Sequence, residues 1–347
     1  MVGTTLASSS NVEFQMNRSL LTVVLLVAAL ASAGCAHDPV ACVAPGCATP
    51  APVVTLAKLR AEVMALGRTI VPGPTAALYA PRIVDAEPYA GVVVQRDIAY
   101  GPAERNRLDV FAPASAAGRP MPVLVFVHGG GFAAGNKRLS PASPFYDNVM
   151  LWAVRHGMVG VNMTYRLAPG DPWPAGPEDV GRAIGWVHDH VASLGGDPHR
   201  VFLMGHSAGA AHVAAYVSHE GFHRAPGSGL AGALMLSGLY RITPELVATG
   251  PTFPGYFGKD PSKYEEESSV SGLVASRVPL WVGNAELDPP FIEEQGKFLL
   301  DALCAAGKCP ARAWFAHHSH MSEAYSIGSD DPSVGDAVYA FIQTRVQ

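Results

Sequence analysis

The chain has 347 residues, 49% of them apolar, and carries a formal net charge of −5. Only 15% of residues are charged, against roughly a quarter in an average globular protein, so a large buried core is expected and charge-driven disorder is excluded. The basic residues are scattered rather than gathered into a stripe, which disfavours nucleic acid as a partner, so none is expected, and the 36 Gly and 29 Pro fall as turn punctuation without a collagen period.

The first features in chain order are processing signals. Arg18 precedes an apolar run over residues 20–30, followed by Ala31, Ser32, Ala33, Gly34 and Cys35. A basic residue, a short apolar stretch and small residues at the cut describe a secretory signal. The run is shorter than the ~20 residues of a membrane span. Met16 is read as the start, because residues 1–15 add nothing that a signal needs. Gly34-Cys35 matches the end of a lipoprotein signal, whose cysteine is lipidated, although Ser32 stands where such signals carry Leu; cleavage after Ala33 is the alternative. Residues 1–35 are therefore expected to be a signal peptide of lipoprotein type. Residues 36–54 are expected to be a linker, and residues 55–347 the folded domain of an exported protein, periplasmic or held at a bacterial membrane through Cys35. The other cysteines, Cys42, Cys47, Cys304 and Cys309, form two C-x4-C pairs. In an oxidising compartment these predict disulfides, and Cys304 and Cys309 flank a Gly-containing turn that a local bridge would close. Neither pair has the further ligands of a zinc site.

Leu56–Leu66 reads as a short helix. From about Gly91, apolar runs of strand length alternate with amphipathic stretches. Residues 123–127 are continuously apolar, as in a strand buried on both faces of a parallel sheet. Residues 158–163, 201–204, 233–236, 280–282 and 311–315 read as further strands. Over residues 177–194, Val180, Ile184, Val187 and Val191 fall on one helix face, with Pro177 in the first turn and Gly195-Gly196 as the stop. This alternation predicts an α/β fold, a doubly wound, mostly parallel sheet. Residues 241–271, rich in Pro, Gly and aromatics, are long for a plain connection and predict a lid or pocket wall. Tyr240, Phe253, Tyr256 and Phe257 are candidates for an apolar pocket or for ordinary core.

The sharpest chemical signal is Gly205-His206-Ser207-Ala208-Gly209. An apolar strand leads into it and a run of small residues at 210–215 follows as a helix, the context of a nucleophile elbow. A serine hydroxyl needs a base and needs donors for the oxyanion it creates. His128-Gly129-Gly130-Gly131-Phe132 follows a strand directly, and its glycines let backbone amides approach a substrate oxygen. Gly130 and Gly131, with the Ala208 amide, are assigned as the oxyanion hole. A phosphate loop is disfavoured because no Lys-Ser/Thr follows the glycines. His128 is read as a loop organiser. The base belongs late in the chain, after the last strand: His320, with His318 next. His212, His219 and His223 are expected to face away or lie at the surface. The orienting acid is Asp288, ahead of two prolines, with Glu286 as rival. The histidine cluster lacks a carboxylate at helical spacing for a metal site, and neither metal nor organic cofactor is required.

Together with Tyr165-Arg166-Leu167-Ala168-Pro169, Trp173-Pro174-Ala175, Glu178-Asp179 and Tyr256-Phe257-Gly258-Lys259-Asp260-Pro261, these motifs resemble the α/β-hydrolase carboxylesterases of the hormone-sensitive-lipase-like kind and the related feruloyl-esterase and kynurenine-formamidase-like groups. The resemblance covers residues 93–342. It implies the α/β-hydrolase fold with a short lid region, and a serine esterase acting through an acyl-enzyme on small acyl or aryl esters. An amide hydrolase of the kynurenine-formamidase type would use the same triad. A non-catalytic exported binding protein on a hydrolase scaffold is the remaining alternative.

Overall fold

The computed structural model describes residues 55–83, 87–115 and 118–346. The expected leader and linker, with Cys35, Cys42 and Cys47, lie outside the described residues. Eight strands form one sheet: β1 Val92–Ala99, β2 Arg107–Pro113, β3 Met121–Val127, β4 Val159–Met163, β5 Gly196–His206, β6 Gly232–Leu236, β7 Leu280–Leu287 and β8 Ala311–Ser319. Their spatial order is β1-β2-β4-β3-β5-β6-β7-β8. β1 and β2 pair antiparallel, as do β2 and β4, and every pair from β4 to β8 is parallel. This is the α/β-hydrolase fold, with a mixed, mostly parallel sheet.

The period-two side-chain alternation of a strand divides the apolar runs between two cores. Val123, Val125 and Val127 of β3, with Val201 and Leu203 of β5, face a core closed by helices Ala175–His190, Ala208–Ser218 and Pro290–Ala305. Leu124, Phe126, Phe202 and Met204 face the other core, closed by Leu56–Leu66, Asp147–Arg155 and Ser333–Val346. Both faces are covered, which is why β3 carries no polar residue. The Leu56–Leu66 helix has the expected bounds, and Thr55 caps it by accepting from the Lys58 amide at 3.2 Å. The helix expected over 177–194 runs Ala175–His190 and tightens to a 3-10 turn at Val191–Leu194. Gly195 then ends it at φ +83°.

Residues 241–271 carry four short helices, Pro244–Thr249, Phe253–Phe257, Tyr264–Glu267 and the start of Val270–Ala275. Leu246, Val247, Phe253, Tyr256 and Phe257 form a third apolar cluster with Phe132 and Ala208, so this segment covers the loops at the carboxyl ends of β3 and β5. Tyr240 departs from that group: it is buried in the core beneath the sheet, and its hydroxyl accepts from the Gly238 amide. Cys304 and Cys309 are joined as a disulfide. Among the described residues no helix is long and apolar enough to cross a membrane, and no group of three or more His, Cys, Asp or Glu could hold a metal ion.

Candidate active site

Ser207 stands between β5 and helix Ala208–Ser218, with φ 58° and ψ −125°. A non-glycine residue in that sparsely populated region is strained by about 1–3 kcal/mol, and the surroundings fix it. Its amide donates to Leu236 O at 2.9 Å. Side chains are excluded on either side, since a Cβ on Gly209 would overlap the Val127 carbonyl oxygen and one on Gly205 would overlap Gly209 O. The helix that follows directs its positive end at the same turn.

The loop after β3 passes directly beside this turn: a Cβ on Gly129 would lie 3.0 Å from Ser207 Cβ. Gly130 and Gly131 have φ of +131° and +57°, and neither amide donates to another described residue. The Gly130 carbonyl accepts from the Ala133 and Ala134 amides, and the Gly131 carbonyl accepts from Thr252 Oγ1 at 2.6 Å. Phe132 also has positive φ, +67°. Its ring is stacked on Tyr256 at 4.3 Å and meets Phe257, His212 and Phe253 edge-on. Aromatic pairs contribute about 0.5–1.5 kcal/mol each, enough to offset the strain. His128 organises the loop as expected. It is fully buried, stacks on Tyr165 and bonds Gly129 O through Nδ1; burial pushes its pKa down to about 3, so it is neutral.

Asp288 and His320 come together, with His320 Nδ1 2.8 Å from Asp288 Oδ1 and both side chains buried. Asp288 Oδ2 accepts from Ser237 Oγ at 2.6 Å, the Ala285 amide at 3.0 Å and Asn284 Nδ2 at 3.1 Å. Burial alone would raise this carboxyl, but the hydrogen bond and charge of His320, with the Ser237 and Asn284 donors, hold it below the usual range. His320 Nε2 is buried and has no hydrogen-bond partner among the described residues. The arrangement thus offers an imidazole fixed by a carboxylate on one nitrogen and open on the other; it meets the elbow through the ring of His206, and Ser207 Oγ makes no hydrogen bond to Nε2 in this structure.

The rival assignments are occupied elsewhere. Glu286 accepts from the His317 amide at 2.7 Å. His318 is held by Ser322 and Ser333, and burial takes its pKa down to about 4. β8 runs on to Ser319, so His317 and His318 belong to the strand rather than to the expected loop, and His320 is the first residue past it.

The fold and these motifs agree with the comparisons. The BD-FAE family matches residues 108–225. Esterase LipQ of Mycobacterium tuberculosis is 31% identical over 266 residues, covering 71% of this chain and 61% of that protein. A probable mitochondrial carboxylesterase 4 of Arabidopsis thaliana is 33% identical over 182 residues, covering 49% of this chain and 43% of that protein. The chain has the α/β-hydrolase fold and is similar in sequence to these two esterases. It spans less than two thirds of the length of these two curated relatives. Among solved structures, an esterase from the bacterial hormone-sensitive lipase family aligns with TM-score 0.58 and 21% identity, over 83% of this chain and 98% of that one. Esterase B from Lactobacillus rhamnosis aligns with TM-score 0.62 and 17% identity, over 82% and 93%. These two likenesses concern the fold.

Several residues of this α/β-hydrolase site were not legible as functional. His206, the variable position of G-x-S-x-G, donates from Nε2 to His320 O at 2.7 Å and so pins the backbone of the residue it faces. His212 corrects an expectation. It is buried rather than outward-facing, in contact with Phe132, Tyr165 and the Tyr256 hydroxyl. An alanine-rich helix lies too close to the sheet and donor loop for its fifth residue to reach solvent. Ser237 directly follows the carboxyl end of a predicted strand, a position that is itself a signal. Glu323 has no sequence signal at all.

Proposed function

We propose that the protein is a serine carboxylic-ester hydrolase acting through an acyl-enzyme on small acyl or aryl esters. The observation that carries this reading is His320: Nδ1 bonded to a buried carboxylate, Nε2 unpartnered, beside the elbow at Ser207. Ser207 Oγ attacks the acyl carbonyl, and His320 Nε2 takes its proton and returns it to the leaving alcohol. Asp288 holds the tautomer and stabilises the imidazolium. The amides of Gly130, Gly131 and Ala208 receive the oxyanion, and water then releases the acid. The aromatic wall of Phe132, Phe253 and Phe257 beside the donor loop supports short acyl or aryl groups. Export, with Cys35 as the lipid-bearing residue, is part of the proposal, and the Cys304–Cys309 bond supports passage through an oxidising compartment.

The test is Ser207→Ala against p-nitrophenyl acetate, butyrate and octanoate, with matched anilides. Turnover should fall by at least about 10³-fold, fluorophosphonate labelling should vanish, and wild type should favour the shorter esters. Undiminished turnover in the variant would reject the reading; faster cleavage of the anilides would assign an amide hydrolase.

A further inference from the structure

The hydrogen-bond chain behind His320 continues past Asp288. Ser237, which follows β6 with φ +48°, has its Oγ 2.6 Å from Asp288 Oδ2 and 2.6 Å from Glu323 Oε2. A hydroxyl has a single proton to donate. Were both carboxyls ionised, one of these short oxygen–oxygen contacts would contain no hydrogen. The trio therefore carries one more proton, and counting donors locates it. Asp288 accepts from His320, Asn284 and the Ala285 amide in addition to Ser237. Glu323 faces Ser237 alone, and its Oε1 is buried without a partner. The proton sits on Glu323 Oε2, which donates to Ser237 Oγ, which in turn donates to Asp288 Oδ2.

We propose that Glu323 is a neutral positioning acid that orients Ser237 toward Asp288, and so fixes the carboxylate that holds His320. The proposal rests on the esterase reading for its kinetic consequences, but not for its protonation state. Burial pushes Glu323 well above the usual carboxyl range and the charge of Asp288 pushes it further. The titratable groups facing it are Asp288 from the loop after β7, with His320 beyond that carboxylate, and Tyr240 from the loop after β6. Tyr240 is held neutral by burial. Kept uncharged, Glu323 aims the Ser237 hydroxyl at Asp288 without placing a second anion beside the imidazole.

The experiment compares wild type with E323Q, E323A and S237A, as full chains. A glutamine amide can still donate to Ser237 and carries no charge. Infrared difference spectra of wild type minus E323Q should show loss of the carbonyl stretch of a protonated carboxylic acid, a readout that needs no turnover. E323A should lower kcat about tenfold and S237A about ten- to a hundredfold, with KM unchanged. E323Q should recover most of the E323A loss, with the acid limb of kcat/KM within about 0.3 pH unit of wild type. Absence of the protonated-acid band, a downward shift of the acid limb in E323Q, or wild-type kcat in both E323A and S237A would overturn the proposal. If E323A does not fold, S237A kinetics and the E323Q spectrum still decide. If wild type hydrolyses no ester, the functional reading fails while the spectrum still judges Glu323.

Discussion

Asp288→Asn is the most informative single change at the site, because the structure dictates how the amide must sit. Oδ2 of Asp288 receives three donors: Ser237 Oγ, Asn284 Nδ2 and the Ala285 amide. An asparagine must therefore leave its carbonyl oxygen there and turn its NH2 group toward His320. That amide can only donate, so Nδ1 of His320 must become the acceptor and the ring hydrogen must move to Nε2. The tautomer that remains cannot take a proton from Ser207. Restoring the correct tautomer means facing two donors across a gap that is now 2.8 Å. The lost charge-assisted bond and the unsatisfied donor together cost about 4–5 kcal/mol, equivalent to a fall of about 10³–10⁴ in kcat. The assay is p-nitrophenyl butyrate turnover from pH 6 to 9, with fluorophosphonate labelling rates, and a circular-dichroism melt to show that the variant is folded. Turnover of the folded variant within tenfold of wild type would refute both the tautomer argument and the role given to Asp288.

Three further outcomes are expected. Gly131→Ala places a Cβ 3.0 Å from Thr252 Oγ1, whose bond to the Gly131 carbonyl must give way, at a position whose φ of +57° strains any side chain; displacing its amide as an oxyanion donor should lower kcat by about 10²–10³, measured on the same ester. Glu267 is pushed up to about 7 from 4.5 by burial. Between those values the unfolded chain has released a proton that the folded chain keeps, so stability falls as pH rises through this window. Glu267→Gln should be more stable than wild type by about 1–3 kcal/mol at pH 8 and should lose that advantage by pH 4, read from urea melts. Metabolic labelling with a radioactive fatty acid in a bacterial host should mark wild type and not Cys35→Ser; equal label on both would exclude Cys35 as the lipid-bearing residue.

Strands buried on both faces were legible because continuous apolar runs such as that of β3 have no other home. The edge of the sheet was not. β2 carries a buried charge, Asp109, which Arg96 and Lys137 neutralise from elsewhere in the chain, and β1 alternates half-buried with exposed positions along its length. Neither looks like a core strand until its partners are known. The same division holds at the site. Ser207 and the glycines announce themselves because backbone geometry there forbids most other residues. Asp288 and His320 follow from chain order after strands. Glu323 and Thr252 reach the site only because the short helix Ser322–Tyr325 and the cover fold onto it, and nothing in their local sequence records that approach. The segment over residues 241–271 was expected as an irregular wall; its helices are so short that no periodicity could develop.

The hydroxyl of Thr252 bonded to the Gly131 carbonyl, and the ring of Phe132 stacked face to face on Tyr256, make the roof over the reaction centre and the loop that would receive the developing charge parts of one rigid piece. On the proposed function, breadth of substrate and speed of turnover would then not be separately adjustable. If the proposed ester chemistry holds, a change of Phe253, Tyr256 or Phe257 that admits a bulkier group would also disturb the Gly130 and Gly131 amides, so selection for a new ester would first have to loosen the ceiling without tilting the floor.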